Sequence, residues 1–234
     1  MVLGIIPRIT MSCTLNISDL GSVSYEKALE LQRQTHREIV EGRGNSSFSP
    51  FRLFLLEHDP PVITLSKRLA ASEHLLATSE QLVQTGVQLC KTDRGGDITY
   101  HGRGQLVGYP IFDLNELSLR IHGYMRFLED CIIDVLAKFE IKGERDACAT
   151  GVWVEGSKIC AMGVRVSKWV SMHGFALNVT TNLDHFDLIV PCGLAGRSVT
   201  SMKKILGEQC PPMDEVKRVV SDVFTTEVRK QVEL

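Results

Sequence analysis

The stretch GVWVEGSKICAMGVRVSKWVSMHGFALNV, residues 151–179, decides the fold class. Val152-Trp153-Val154 and Ile159 to Val166 are runs rich in β-branched and aromatic residues, and Glu155-Gly156-Ser157 between them is a turn signal. Trp169 to Val179 is the next such run, so the segment reads as a β-meander. Outward from it, Leu53 to His58 and Val62 to Leu65 read as strands around Pro60-Pro61, as do Val87 to Thr92 and Gln105 to Leu114. Ile121, Met125, Leu128, Ile132, Val135 and Phe139 recur at helical spacing and predict a helix over about 118–139. Ser24 as N-cap and Gly42 at the far end bound a helix over 24–41. Thr78-Ser79-Glu80-Gln81 has the form of a capping box for a short helix that stops near Gly86. A last helix begins near Asp214 and carries Val216, Val219, Val220, Val223 and Phe224. The strands come in meanders rather than regular βαβ units, which predicts an α+β fold, a mixed sheet packed with helices.

The bulk composition narrows the function. A chain of 234 residues suits one sizeable domain, expected over 21–234 after an N-terminal extension of 1–20. That extension contains Arg8, several hydroxyl residues and no acid before Asp19, a pattern that fits an organelle targeting segment and a plain frayed extension equally. A net charge of −2 and the lack of a Lys/Arg run give nucleic-acid or membrane-surface binding no electrostatic support. No apolar run approaches the roughly 18–20 residues of a membrane span. Seven cysteines without a C-x-x-C pair argue against a disulfide framework and a tetrathiolate zinc site.

Three segments carry candidate chemistry. Arg94 to Gln105 holds Gly95, Gly96, Gly102 and Gly104, which let backbone N–H groups approach a ligand closely. A plain tight turn between strands would also explain the glycines. Arg94, Thr99, Tyr100 and His101 in so short a span favour a binding wall. Gly151 to Lys158 is a near miss for a phosphate loop and is rejected, because strands flank it on both sides. Lys158 follows a hairpin turn, where most lysines are solvated; held close to a thiol, it would favour the thiolate as a cation or serve as a base. Cys192 lies between Pro191 and Gly193, at a strand-to-turn junction rather than in a core segment. His173 is the alternative base, as part of a Cys–His pair.

Arg-Gly-Gly-Asp-Ile-Thr-Tyr-His-Gly (94–102), Lys-Ile-Cys-Ala-Met-Gly-Val-Arg-Val (158–166), Met-His-Gly-Phe-Ala-Leu-Asn-Val (172–179) and Pro-Cys-Gly-Leu (191–194) with Val-Thr-Ser-Met (199–202) together resemble the lipoyl(octanoyl) transferases. The resemblance runs in order from about residue 53 to residue 203. It implies a biotin/lipoate protein ligase-like catalytic fold and no metal or cofactor. It also implies that an octanoyl or lipoyl group moves from acyl carrier protein to a lysine ε-amine. The acceptors would be lipoyl domains of 2-oxo acid dehydrogenase complexes and the glycine-cleavage H protein. Cys192 would be the nucleophile and form an acyl-thioester, and Lys158 would lower its pKa or shuttle its proton. Arg94, Gly95, Gly96, Asp97, Ile98, Thr99, Tyr100, His101, Ala161, Met162, Gly163, Gly174, Phe175 and Ala176 would line the acyl pocket. The family's role in lipoylating mitochondrial complexes, with the acid-poor N-terminus, points to the mitochondrial matrix, or to the cytoplasm of a bacterium. Arg103 departs from the family pattern, standing where proline is usual, and is expected to contact the acidic carrier protein. Competing expectations are an ATP-dependent lipoate or biotin ligase, an amidotransferase between lipoyl domains, and a catalytically silent carrier-binding module.

Overall fold

The computed structural model describes residues 14–45, 48–190 and 197–233. Among these residues two sheets form. The larger has seven strands in the order β1 (Asn16–Val23), β2 (Phe51–His58), β6 (Gln105–Phe112), β10 (Val170–Asn178), β9 (Ser157–Ser167), β8 (Val152–Val154) and β7 (Glu144–Arg145). β1 runs parallel to β2, and every other neighbour is antiparallel, so the sheet is mixed, as the meander predicts. The smaller sheet has β3 (Val62–Leu65) between β4 (Gln88–Lys91) and β5 (Ile98–His101).

Helices cover both faces of the large sheet. On one face, α3 (Ile121–Ala137) and α5 (Met213–Glu233) bury Tyr124, Leu128, Ile132 and Val135 with Val216, Val220 and Phe224 against Leu53, Leu106, Phe175 and Leu177. α1 (Tyr25–Glu41) lies on the other face, with Ala28 and Ile39 packed on Leu56, Val107, Tyr109 and Ala176. Alternate residues of β10 thus feed opposite cores, the two-residue period of a strand. Ser24 caps α1 by accepting from the Lys27 amide. Thr78 and Gln81 form the reciprocal capping box of α2 (Ser79–Thr85), which ends at Gly86 with a φ of +65°.

Several boundaries differ from expectation. β1 crosses the expected division between residues 20 and 21, so residues 16–20 belong to the large sheet. Its polar sequence, an exposed edge interrupted by a bulge between Asp19 and Ser22, gives no strand period. The glycine-rich stretch contains β5, whose four residues are too few to show alternation between flanking glycines. The long helix starts at Ile121, not Ser118, because Ser118 takes a φ of +54°. Ile121 is half exposed, and the buried stripe runs through Tyr124 instead. A short α4 (Met202–Leu206), capped by Ser201, had no periodic signal.

One irregularity shapes the centre of the large sheet. β6 pairs with β10 from Gly108↔Phe175 to Gln105↔Asn178, and the register resumes only as a bridge between Asp113 and Val170. Counting along it places Pro110 opposite His173. Proline has no N–H for the ladder. His173 turns to a φ of +59° and its amide donates to Gln32 Oε1 on α1 at 2.7 Å. The Ser171 hydroxyl fills the gap by accepting from the Phe112 amide (3.0 Å) and donating to the Pro110 carbonyl (2.8 Å).

Candidate active site

A cleft opens where β9 and β10 meet the segment leading into β5 and the first turn of α1. Two glycine contacts make it. The Gly95 amide donates to the Val164 carbonyl at 2.8 Å, and a Cβ at Gly163 would lie 2.7 Å from the Gly95 carbonyl. Side chains on either would force the loop off the sheet. Gly96 adds a φ of +94°, open to glycine but strained for other residues.

Of the residues expected in the pocket, Arg94, Gly96, Asp97, Ile98, Thr99, His101, Ala161, Met162, Gly163, Gly174, Phe175 and Ala176 line this cleft. Gly95 stands behind the lining. Tyr100 points the other way: its hydroxyl bonds His185 Nδ1 at 2.7 Å and its ring packs on Phe186 in the core of the small sheet. Tyr100 lies between Thr99 and His101 on β5, and its side chain leaves the opposite face of the strand. Tyr25, Tyr109 and His173 complete the lining. Tyr25 lies on α1, far from the glycine motif in sequence, and Tyr109 on β6, a few residues past Gln105; no local pattern marks either.

The inner histidines are hydrogen-bonded and held toward the neutral form by burial. His58 donates from Nδ1 to the Val23 carbonyl (3.0 Å) and accepts at Nε2 from the Tyr109 hydroxyl (2.7 Å). Burial pushes His58 down to about 4, and His101 and His173 below their ordinary values too. The hydrogen bond from His173 Nε2 holds Asp93 at about 2, with help from Arg165 at 2.9 Å. For His173 itself, burial outweighs the pull of Asp93.

A chain of amide side chains links the cleft wall to Lys158. Gln105 Nε2 donates to Asn178 Oδ1 (2.9 Å) and to the Tyr100 carbonyl, so its Oε1 must be the acceptor for His101 Nδ1–H (2.8 Å). That leaves His101 Nε2 as an unprotonated acceptor. Asn178 Nδ2 donates to the Thr200 carbonyl (3.0 Å), and the Thr200 amide donates to the Lys158 carbonyl (3.0 Å).

Lys158 is 6% exposed at the start of β9, three residues before the cleft wall at Ala161. Its Nζ lies 4.8 Å from the Trp153 ring centroid, a cation against an indole face. Cys192 falls in residues 191–196, outside the described residues. The chain is tied down on both sides of them. Before them, the Val190 amide donates to the His74 carbonyl (2.8 Å); after them, the Ser198 carbonyl accepts from the Lys158 amide (2.9 Å). Arg103 stands at the surface and pairs with Asp59 at 2.7 Å.

The family model of the lipoyl protein ligase A/B catalytic domain matches residues 24–225. An octanoyltransferase of Christiangramia forsetii is 39% identical over 94% of this chain and 100% of its own length. One from Porphyromonas gingivalis is 45% identical over 82% of this chain, which spans 40% of that longer protein. Among solved structures, a lipoate protein ligase from T. acidophilum with bound lipoic acid superposes with a TM-score of 0.69 at 15% identity, over 92% of this chain and 86% of that one. Biotin protein ligase from Aquifex aeolicus gives 0.52 at 14% identity, over 93% and 70%. The fold is therefore of the biotin/lipoate protein ligase kind. Both octanoyltransferase relatives are bacterial and lend the mitochondrial expectation no support. Among the described residues no helix is long and apolar enough to cross a membrane. The chain belongs to the family of the lipoyl protein ligase A/B catalytic domain and, within it, to the lipoyl(octanoyl) transferases.

Proposed function

We propose that the protein moves an octanoyl or lipoyl group from acyl carrier protein to the lysine ε-amine of lipoyl domains, through an acyl-thioester on Cys192. The observation that carries this reading is the tether between Lys158 and Ser198. The same backbone pairing that holds Lys158, three residues before the cleft wall at Ala161, also anchors Ser198, just past the segment bearing Cys192.

In the first step the Cys192 thiolate attacks the thioester carbonyl of the octanoyl carrier. A C–S bond to Cys192 forms, the C–S bond to the carrier breaks, and the carrier leaves as its thiolate, which takes a proton from solvent. One thioester replaces another, so this step needs positioning more than driving force. In the second step the acceptor amine attacks the acyl-Cys192 carbonyl. A C–N bond forms, the C–S bond breaks, and the amine's proton is released. Amide formation from a thioester runs downhill and needs no nucleotide. Lys158 serves as the cation beside the thiolate, and backbone amides of the glycine segments stabilise the oxyanion. The acceptors are lipoyl domains of 2-oxo acid dehydrogenase complexes and the glycine-cleavage H protein.

Intact mass spectrometry after mixing the protein with octanoyl-acyl carrier protein, without ATP, tests this. The expected result is one octanoyl adduct that hydroxylamine removes, absent from Cys192→Ala. No adduct on the wild type, with acylation of a lipoyl domain only when ATP and free octanoate are supplied, would replace the transferase reading with a ligase.

A further inference from the structure

A buried carboxylate lies outside the cleft, on α3. Glu129 is 1% exposed. Its Oε2 accepts from Arg126 (2.6 Å) and Arg145 (3.2 Å), and its Oε1 accepts from the Gly151 backbone amide (3.1 Å). A buried charge is costly and contributes little net stability even when paired. Its use lies in what it fixes, and what it fixes here is Gly151.

Gly151 has a φ of +126°, and a Cβ on it would stand 2.5 Å from the Cys160 carbonyl and 3.5 Å from Lys158 Cε. The backbone of Gly151 is thus one wall of the slot in which the Lys158 side chain lies. The Trp153 ring is another. Trp153 is itself held by its Nε1–H bond to the Ala149 carbonyl (3.2 Å) and by the Arg197 guanidinium, 4.0 Å from its centroid. Asp146 pairs with Arg197 and also accepts from the Cys148 and Ala149 amides, both at 2.9 Å. The turn from 146 to 151 is therefore pinned by a carboxylate at each end, Asp146 at its start and Glu129 at its finish. Among the described residues, the titratable and charged groups around Lys158 are Glu129 from α3, Arg197 with Asp146, and the buried Cys160 thiol of its own strand.

We propose that Glu129 is a positioning residue: by holding the Gly151 amide it fixes the wall of the Lys158 slot and so sets where the amine stands. This rests on the reading of Lys158 as the cation beside the Cys192 thiolate. The test is the pH profile of iodoacetamide alkylation of the full chain, followed on the Cys192 peptide by mass spectrometry. Lys158→Met is the reference, expected to move the midpoint up by about one pH unit or more. Glu129→Asp keeps the charge for both arginines but withdraws the oxygen from Gly151, and should reproduce at least half of that shift. Arg126→Met takes a partner from Oε2 but leaves Oε1 on Gly151, and should leave the midpoint near that of the wild type. An unshifted Lys158→Met profile overturns the role of Lys158, and this inference with it. A shifted Lys158→Met profile with Glu129→Asp unmoved, or with Arg126→Met and Glu129→Asp moved alike, overturns the role of Glu129 alone. Should Glu129→Asp fail to fold, Glu129→Met, of similar length but without an acceptor, takes its place under the same criterion.

Discussion

Substituting Gly108 by alanine tests whether the sheet beneath the cleft is built around the Phe175 ring. Gly108 and Phe175 are direct partners across β6 and β10. A Cβ on residue 108 would lie 2.1 Å from Phe175 Cζ and 2.2 Å from one Cε. Ordinary contact between carbons begins near 3.5 Å, so the ring must retreat by about 1.4 Å. It has little room to do so: Phe175 is buried and stacks on Phe224 of α5 with centroids 5.4 Å apart and planes at 23°. Overpacking of this kind costs about 1–3 kcal/mol. For a domain of this length that is a fall in Tm of about 2–12 °C. Urea denaturation of Gly108→Ala should show a lower midpoint at unchanged m-value. In a Phe175→Leu background the shorter side chain leaves space for the methyl group, and the alanine should cost at least about 1 kcal/mol less there. Equal costs in the two backgrounds would refute the reasoning, since the clash would then not lie with the ring.

Other predictions follow from the polar groups. His58 has its folded pKa lowered to about 4 by burial, so between pH 6.5 and 4 the unfolded chain binds a proton that the folded chain does not. Its contribution is full above pH 6.5 and falls by roughly 3 kcal/mol as the pH drops to 4. His58→Gln should flatten the fall of urea midpoint with pH in that window, and an unchanged slope would contradict the assignment. Arg103→Ala should raise the KM for octanoyl-acyl carrier protein and weaken its salt dependence. The Arg103–Asp59 pair is exposed, so folding stability should barely change. An unchanged KM would remove Arg103 from the carrier contact. Cys192→Ala should abolish transfer to a lipoyl domain while leaving the melting curve of the wild type.

The legible parts of the fold are those in which one local signal sufficed. The meander over 151–179, the capping box at Thr78 and the valine stripe of α5 all stand where their patterns place them. β1 was hidden because an exposed parallel edge strand needs no alternation, and β5 because four residues between glycines show no period. At the site, the glycine motifs predicted most of the cleft lining, since close backbone approach demands glycine at Gly95 and Gly163. Tyr25 and Tyr109 were not legible. They reach the cleft only because α1 crosses β6 and β10, a tertiary fact with no local mark. Tyr100 was misplaced for a related reason: a motif read as a loop carries no facing rule, whereas a strand does.

The break at Pro110 and His173 has a mechanical consequence. Where ladder bonds are missing, the Ser171 hydroxyl joins the two central strands, backed by Tyr124 of α3 at 3.1 Å, while Gln32 of α1 takes the His173 amide on the other face. The seam is riveted from both sides by helices rather than stitched by its own backbone. Loosening either helix therefore slackens the floor of the cleft, and amide exchange at His173 and Phe112 becomes a strain gauge for helix docking.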